Sequence, residues 1–124
     1  MKIALTTALT LALTTTAALA GATKEVKSDL GPVLAAAKNG MTLYTFRNDA
    51  KNKSNCYDSC ADAWPPFTAS ASAKSEGDLS VIKRKDGSLQ WAMNGQPLYF
   101  WQGDSEPGDA TGDGVGGVWD VAKK

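Results

Sequence analysis

Two cysteines, Cys56 and Cys60, are the side chains of this protein best equipped for chemistry. On a helical turn, residues four apart place their Cα atoms about 6 Å from one another, within the span a disulfide tolerates. Three uses fit that spacing: a structural staple, an exchangeable thiol pair, or a pair of soft metal ligands. A bridge over so short a loop removes little chain entropy, so its stabilisation sits near or below the low end of ~2–4 kcal/mol. A second cluster is acidic. Asp109, Thr111, Asp113, Gly114 and Asp120 fall at the first, third, fifth, sixth and twelfth positions of a calcium-binding loop. The twelfth position is ordinarily a bidentate glutamate, which Asp120 is too short to replace well, and no flanking helices are predicted. The alternative is that these are turn residues. Histidine is absent, which excludes Ser-His-Asp and Cys-His nucleophile pairs, the usual zinc sites and haem attachment at Cys-x-x-Cys-His. No two carboxylates are marked as a general acid and base. The chain is expected not to be an enzyme and to need no cofactor.

The elements that must hold these groups repeat. Shifted by 55 positions, Asn39-Gly40 falls on Asn94-Gly95, Leu43-Tyr44 on Leu98-Tyr99 and Phe46 on Trp101. Asp49 then falls on Asp104, Asp58 on Asp113 and Trp64 on Trp119. The cysteines are not repeated: Thr111 and Val115 stand in their places. In the second copy, Val81 to Lys85, Leu89 to Met93 and Leu98 to Trp101 read as strands joined at Asp86-Gly87 and Asn94-Gly95, dipeptides suited to two-residue hairpin turns. Alternation of Leu89, Trp91 and Met93 predicts one buried face. The first copy has Val33 to Lys38 and Thr42 to Phe46, joined at Asn39-Gly40. A helical turn fits Asn55 to Ala63 before Trp64-Pro65-Pro66 stops it. Ala69 to Gly77 reads as the loop between the copies, and the glycine-rich stretch from Asp104 to Gly117 as irregular. The expected fold is mainly β: two pseudo-repeated antiparallel hairpin or meander units, about 31–68 and 79–124, packed on each other in one domain over 21–124. Tyr44, Phe46, Trp64, Tyr99, Trp101 and Trp119 could form a platform for sugars or quinones. Their recurrence at matched positions argues first for a core, with Asp49 and Asp104 capping turns.

Residues 1–20 have the order of a secretory signal peptide. Lys2 supplies the charge, Ile3 to Leu13 the apolar stretch, and Ala18-Leu19-Ala20 a small-residue cleavage site. Threonines dilute this stretch too much for a transmembrane anchor. Cleavage after Ala20 delivers the domain to the periplasm or the exterior, where a disulfide is the default state of two cysteines. Thirteen basic residues balance thirteen acidic ones, leaving no electrostatic footprint for nucleic acid or an anionic membrane.

Tyr44-x-Phe46-x-x-Asp49 and Tyr99-x-Trp101-x-x-Asp104 carry a resemblance. They are similar to the Tyr-x-(Phe/Trp/Tyr)-x-x-Asp signature of a bacterial family of predicted lipoproteins, also described as a secreted repeat of unknown function. The likeness extends to Cys56-x-x-x-Cys60 with Trp64-Pro65-Pro66, to Lys83 through Gly87, to Pro107-Gly108-Asp109, and to Gly114 through Trp119. It covers nearly all of the mature chain and implies an exported protein without naming an activity. Two departures stand out. Leu19-Ala20-Gly21 resembles the start of a lipobox, but Ala22 replaces the acylated cysteine, so no lipid anchor is expected. Asp120 stands where the family often has histidine. Together these readings describe a small β domain of the bacterial envelope that binds an envelope protein or small ligand, or serves a structural role. The alternative is a periplasmic redox or metal-handling accessory protein using Cys56 and Cys60.

Overall fold

The computed structural model describes residues 21–124; the export leader expected over residues 1–20, with its cleavage site after Ala20, lies outside the described residues. Strands β1 (Thr23–Ser28) and β2 (Gly31–Ala36) form an antiparallel hairpin. Exposed Lys24, Glu25 and Lys27 give β1 a charged character that discourages a foreign strand from pairing on its free edge. In β2 the run from Val33 to Ala36 is buried on both faces. Strand β3 (Tyr44–Phe46) pairs with the last strand of the chain, β8 (Trp119–Val121). The short helix α1 (Ser59–Ala63) ends at Trp64, ahead of the two prolines. Strands β4 (Thr68–Ala69), β5 (Leu79–Lys83), β6 (Leu89–Met93) and β7 (Gln96–Pro97) make the largest sheet, with β6 central. A 3₁₀ turn at Val115–Gly117 is the only regular structure in the glycine-rich stretch after Asp104. No helix among the described residues is long and apolar enough to cross a membrane.

The turns differ from one another more than their dipeptides suggest. Asn94-Gly95 is the expected two-residue turn, with both residues at positive φ (52° and 83°) and Met93 opposite Gln96. At Asp86-Gly87 only the glycine has positive φ, and Arg84 N–H bonds Ser88 O at 2.8 Å. That is a three-residue loop closed by a left-handed glycine, not a two-residue turn. At Asn39-Gly40 the connection is longer still: Ala36 N–H bonds Met41 O at 3.0 Å. The extra length shifts the register, so that the β2 position matching Trp91 of β6 is Leu34. Leu43 N–H bonds Leu34 O, and Leu98 N–H bonds Trp91 O, both at 2.9 Å. The single 55-residue offset therefore holds downstream of the Asn-Gly turns and changes to 57 upstream. The first copy also begins earlier than residue 31, because β1 is the counterpart of β5.

The copies are interlocked rather than merely packed face to face. Tyr44 and Tyr99, which occupy the same place in each copy, bond each other's backbone: Tyr44 N–H to Tyr99 O at 2.8 Å, and Tyr99 N–H to Tyr44 O at 3.0 Å. A pseudo-two-fold axis passes through that bridge. Around it each copy lends its C-terminal segment to the other. Val121 lies opposite Tyr44 and Ala122 N–H bonds Leu43 O at 2.8 Å; Pro66 lies opposite Tyr99 and Phe67 N–H bonds Leu98 O at 2.9 Å. The apolar interior divides into two clusters. One gathers Leu34, Leu43, Phe67, Leu79, Trp91, Met93 and Leu98. The other gathers Tyr44, Cys56, Trp64, Tyr99 and Trp119 on the axis.

Candidate functional site

The repeated motif resolves into a pair of crossed clasps. Tyr44 Oη donates to Asp104 Oδ2 at 2.7 Å, and Tyr99 Oη donates to Asp49 Oδ2 at 2.7 Å. Each tyrosine thus reaches the aspartate of the other copy. The second oxygen of each carboxylate holds a turn, as expected: Asp49 Oδ1 accepts from Asn55 N–H at 2.7 Å, and Asp104 Oδ1 from the N–H and hydroxyl of Thr111 at 2.9 and 2.7 Å. One carboxylate therefore ties a local turn to a distant strand. Gly112 N–H also bonds Tyr44 Oη at 3.1 Å. Only glycine permits that approach, because a Cβ at position 112 would stand 2.8 Å from the Trp64 ring and 2.9 Å from Trp101.

Between the clasps runs a column of four rings, Phe46, Trp119, Trp64 and Trp101. Their centroids are separated by 4.2, 3.8 and 4.1 Å, and the central indoles lie 3° from parallel. Tyr44 meets Trp64 edge-on at 5.2 Å, and Tyr99 meets Trp119 edge-on at 5.1 Å. The motif aromatics are thus core on the axis, and only the end rings, Phe46 and Trp101, are half-buried. Burial, reinforced by the hydrogen bond to Asp104, drives the Tyr44 phenol far above its ordinary range. Burial does the same to Tyr99, where the Asp49 bond adds to the shift and the Ser54 bond opposes it. Both phenols hold their protons more tightly folded than unfolded. Their contribution to stability is complete below about pH 10, the ordinary phenol value, and is lost as pH rises above it. In a spectrophotometric titration, two of the three tyrosines should therefore ionise only in a steep step that coincides with loss of the near-ultraviolet dichroism. Smooth ionisation of all three about pH 10 would contradict the clasps.

Cys56 and Cys60 form a disulfide with Cα atoms 5.3 Å apart, on the turn that opens α1. Cys56 is fully buried against the aromatic column. The loop carrying it is held from the other copy by Arg84. This guanidinium is 5% exposed and donates to Cys56 O at 2.7 Å, Ser54 Oγ at 3.0 Å and Gln90 Oε1 at 2.8 Å. Its carbon sits 4.3 Å from the centre of the Tyr57 ring. Ser54 Oγ lies 2.6 Å from Tyr99 Oη, and because Tyr99 gives its proton to Asp49, the serine is the donor there. A directed chain results, from Arg84 through Ser54 and Tyr99 to Asp49. Burial raises the Asp49 carboxyl, against the opposing pull of Tyr99, Asn55 and Arg84. Gln90 closes the network by donating to Leu98 O at 2.7 Å, which explains why β6 is buried on both faces instead of the one its alternation predicts. Gln90 is not distinguished in the sequence, and Arg84 is marked only as one residue of the family-like segment from Lys83 to Gly87. Arg84 stands between two exposed lysines and looks like any other residue of a basic turn.

The calcium candidates are not brought together. Asp109 Oδ2 accepts from Ser105 and Glu106 N–H at 2.8 and 3.2 Å, and Asp113 Oδ1 from Val121 N–H at 2.9 Å. Asp120 pairs with Arg47 at 2.8 Å, which holds its carboxyl below the usual range. Each carboxylate answers a different donor, and no group of three or more potential metal ligands converges among the described residues.

Two grooves flank the column at its ends and are related by the repeat. One, of about 360 Å³, is bordered by Phe46, Arg47, Asp49, Lys51 and the turn Asn94–Pro97. Its counterpart beside Trp101, Asp104, Asn39 and Met41 measures about 110 Å³.

These features define a mainly β domain of two interlocked copies in which a Tyr–Asp motif joins the halves. The chain belongs to the family described as a secreted repeat of unknown function, whose profile matches residues 24–68 and 80–123. It is thus an exported protein, and the two matched segments correspond to the two copies, β1 included. No match was found among curated proteins or among solved structures.

Proposed function

We propose that this is a non-enzymatic binding domain of the bacterial cell envelope, released to the periplasm or exterior by cleavage after Ala20, with the Phe46 groove as its contact surface. The carrying observation is the divergence of the two repeat-related grooves. The scaffold residues Tyr, Asp, Trp and Asn-Gly are the same in both copies, while the repeat places Gln102 and Glu106 where the larger groove has Arg47 and Lys51, and Met41 where it has Gln96. The larger groove combines an aromatic ring with amide, carboxylate and cationic hydrogen-bonding groups. That mixture suits a small polyhydroxylated ligand, whose ring carbons meet Phe46 while its hydroxyls meet Asn94, Gln96 and Lys51. A thiol-exchange role is less well supported, because Cys56 is fully buried.

Nuclear magnetic resonance titration with a panel of mono- and oligosaccharides tests the reading. Amide shifts should cluster at Asp49–Lys51 and Asn94–Gln96 and vanish in Gln96→Ala, an exposed position whose loss leaves the column intact. A panel that shifts no groove amide, or shifts them equally in the variant, removes this reading.

A further inference from the structure

The aromatic column is more than filler, because its tyrosines end on bases. We propose that it is a one-electron relay, in which Trp101 receives an oxidising equivalent at the surface and Tyr44, paired with Asp104, stores it in the core. This goes beyond the groove reading and does not depend on it.

The steps follow the geometry. A one-electron oxidant in solution takes an electron from Trp101, the half-buried indole at one end of the column. The resulting positive hole passes to Trp64, 4.1 Å away, and is shared with Trp119, parallel to it at 3.8 Å. Tyr44, edge-on to Trp64 at 5.2 Å, returns an electron to the indole while its hydroxyl proton crosses the 2.7 Å bond to Asp104. The indoles end neutral, Tyr44 ends as a neutral phenoxyl radical and Asp104 as a neutral acid. One electron has left to the oxidant, and one proton has moved within the protein. An electron delivered back by a reductant of the quinol or ascorbate class re-forms the phenol, and Asp104 returns its proton.

The carboxylate is what makes the tyrosine usable. A buried phenol that lost an electron but kept its proton would be an uncompensated cation, at heavy desolvation cost. Passing the proton to a hydrogen-bonded carboxylate avoids that charge. The two clasps are not equally placed. Tyr44 meets Trp64, the indole next to Trp101, whereas Tyr99 meets Trp119 one ring further along the column. Tyr99 also accepts from Ser54, while Tyr44 accepts from the N–H of Gly112. Trp91 lies in the other apolar cluster, outside the column.

The test is photochemical oxidation of the mature, disulfide-bonded protein by flash-generated tris(bipyridine)ruthenium(III), followed by transient absorption and electron paramagnetic resonance. An indole radical should give way to a tyrosyl radical, more slowly in deuterated water. Tyr44→Phe keeps the ring and should lengthen the indole radical's life about tenfold or more, a barrier change of about 1.4 kcal/mol, with loss of the tyrosyl signal. Tyr57→Phe should leave both unchanged, and Trp101→Phe should lower the radical yield. Should Tyr44→Phe fold poorly, Asp104→Asn is read instead, with the same lengthened lifetime expected. A tyrosyl signal that persists in Tyr44→Phe, an indole lifetime unchanged in both variants, or decay insensitive to deuterium each overturns the relay.

Discussion

Replacing Trp119 with alanine should remove about 3–5 kcal/mol of the domain's stability. The ring is 4% exposed and stacks between Trp64 at 3.8 Å and Phe46 at 4.2 Å, with Tyr99 against its edge. Truncating a buried tryptophan costs about 3–5 kcal/mol, against a total of about 5–15 kcal/mol for a whole domain. Trp119 also begins β8, the strand that completes the first copy, so the cavity opens at the seam between the halves. Urea denaturation followed by far-ultraviolet dichroism measures the loss. Trp119→Phe should recover most of it, because a smaller ring still stacks. A loss below about 1 kcal/mol for Trp119→Ala, typical of an ordinary point substitution, would mean that the column contributes little to holding the copies together.

The second large effect is at Arg84. In Arg84→Leu the carbonyl of Cys56 and the side-chain oxygen of Gln90 lose their donor together, and the hydroxyl of Ser54 keeps only the Cys56 N–H. Each buried acceptor left unpaired costs about 1–3 kcal/mol. The damage should concentrate on the loop that carries the disulfide. Hydrogen exchange from residues 54 to 60 should accelerate, and dithiothreitol should reduce the Cys56–Cys60 bond faster than in the parent. Arg84→Lys should not restore protection, because one ammonium cannot reproduce the planar fork that serves three acceptors in fixed directions. Full protection in the lysine variant would refute this account of the network.

What could be read from the sequence was what is local or repeated. The duplication, the β class, the helical turn at the cysteines and the Asn94-Gly95 turn all follow from spacing and composition. The motif aspartates were legible as turn caps because that half of their work lies within seven residues. Their bonds to Tyr99 and Tyr44 span 50 and 60 residues, and no local pattern marks which distant phenol a carboxylate will meet. Arg84 was hidden by its lysine neighbours, since exposure depends on what folds over a turn. Strand β1 was missed because its charged residues read as surface, which is what they are on an edge. The calcium-like spacing at Asp109 failed for a related reason. Spacing fixes only the order of the oxygens; Asp109 and Asp113 turn toward backbone N–H groups and Asp120 toward Arg47 instead of a common centre.

The exchange of C-terminal segments has a consequence for how such a chain matures. Val121 and Ala122 complete the first copy by pairing with Tyr44 and Leu43, so its sheet stays open until the end of the second copy has docked on it. Contacts of such high sequence separation slow folding. In an exported protein such a delay lengthens the time during which the chain can still be threaded across a membrane.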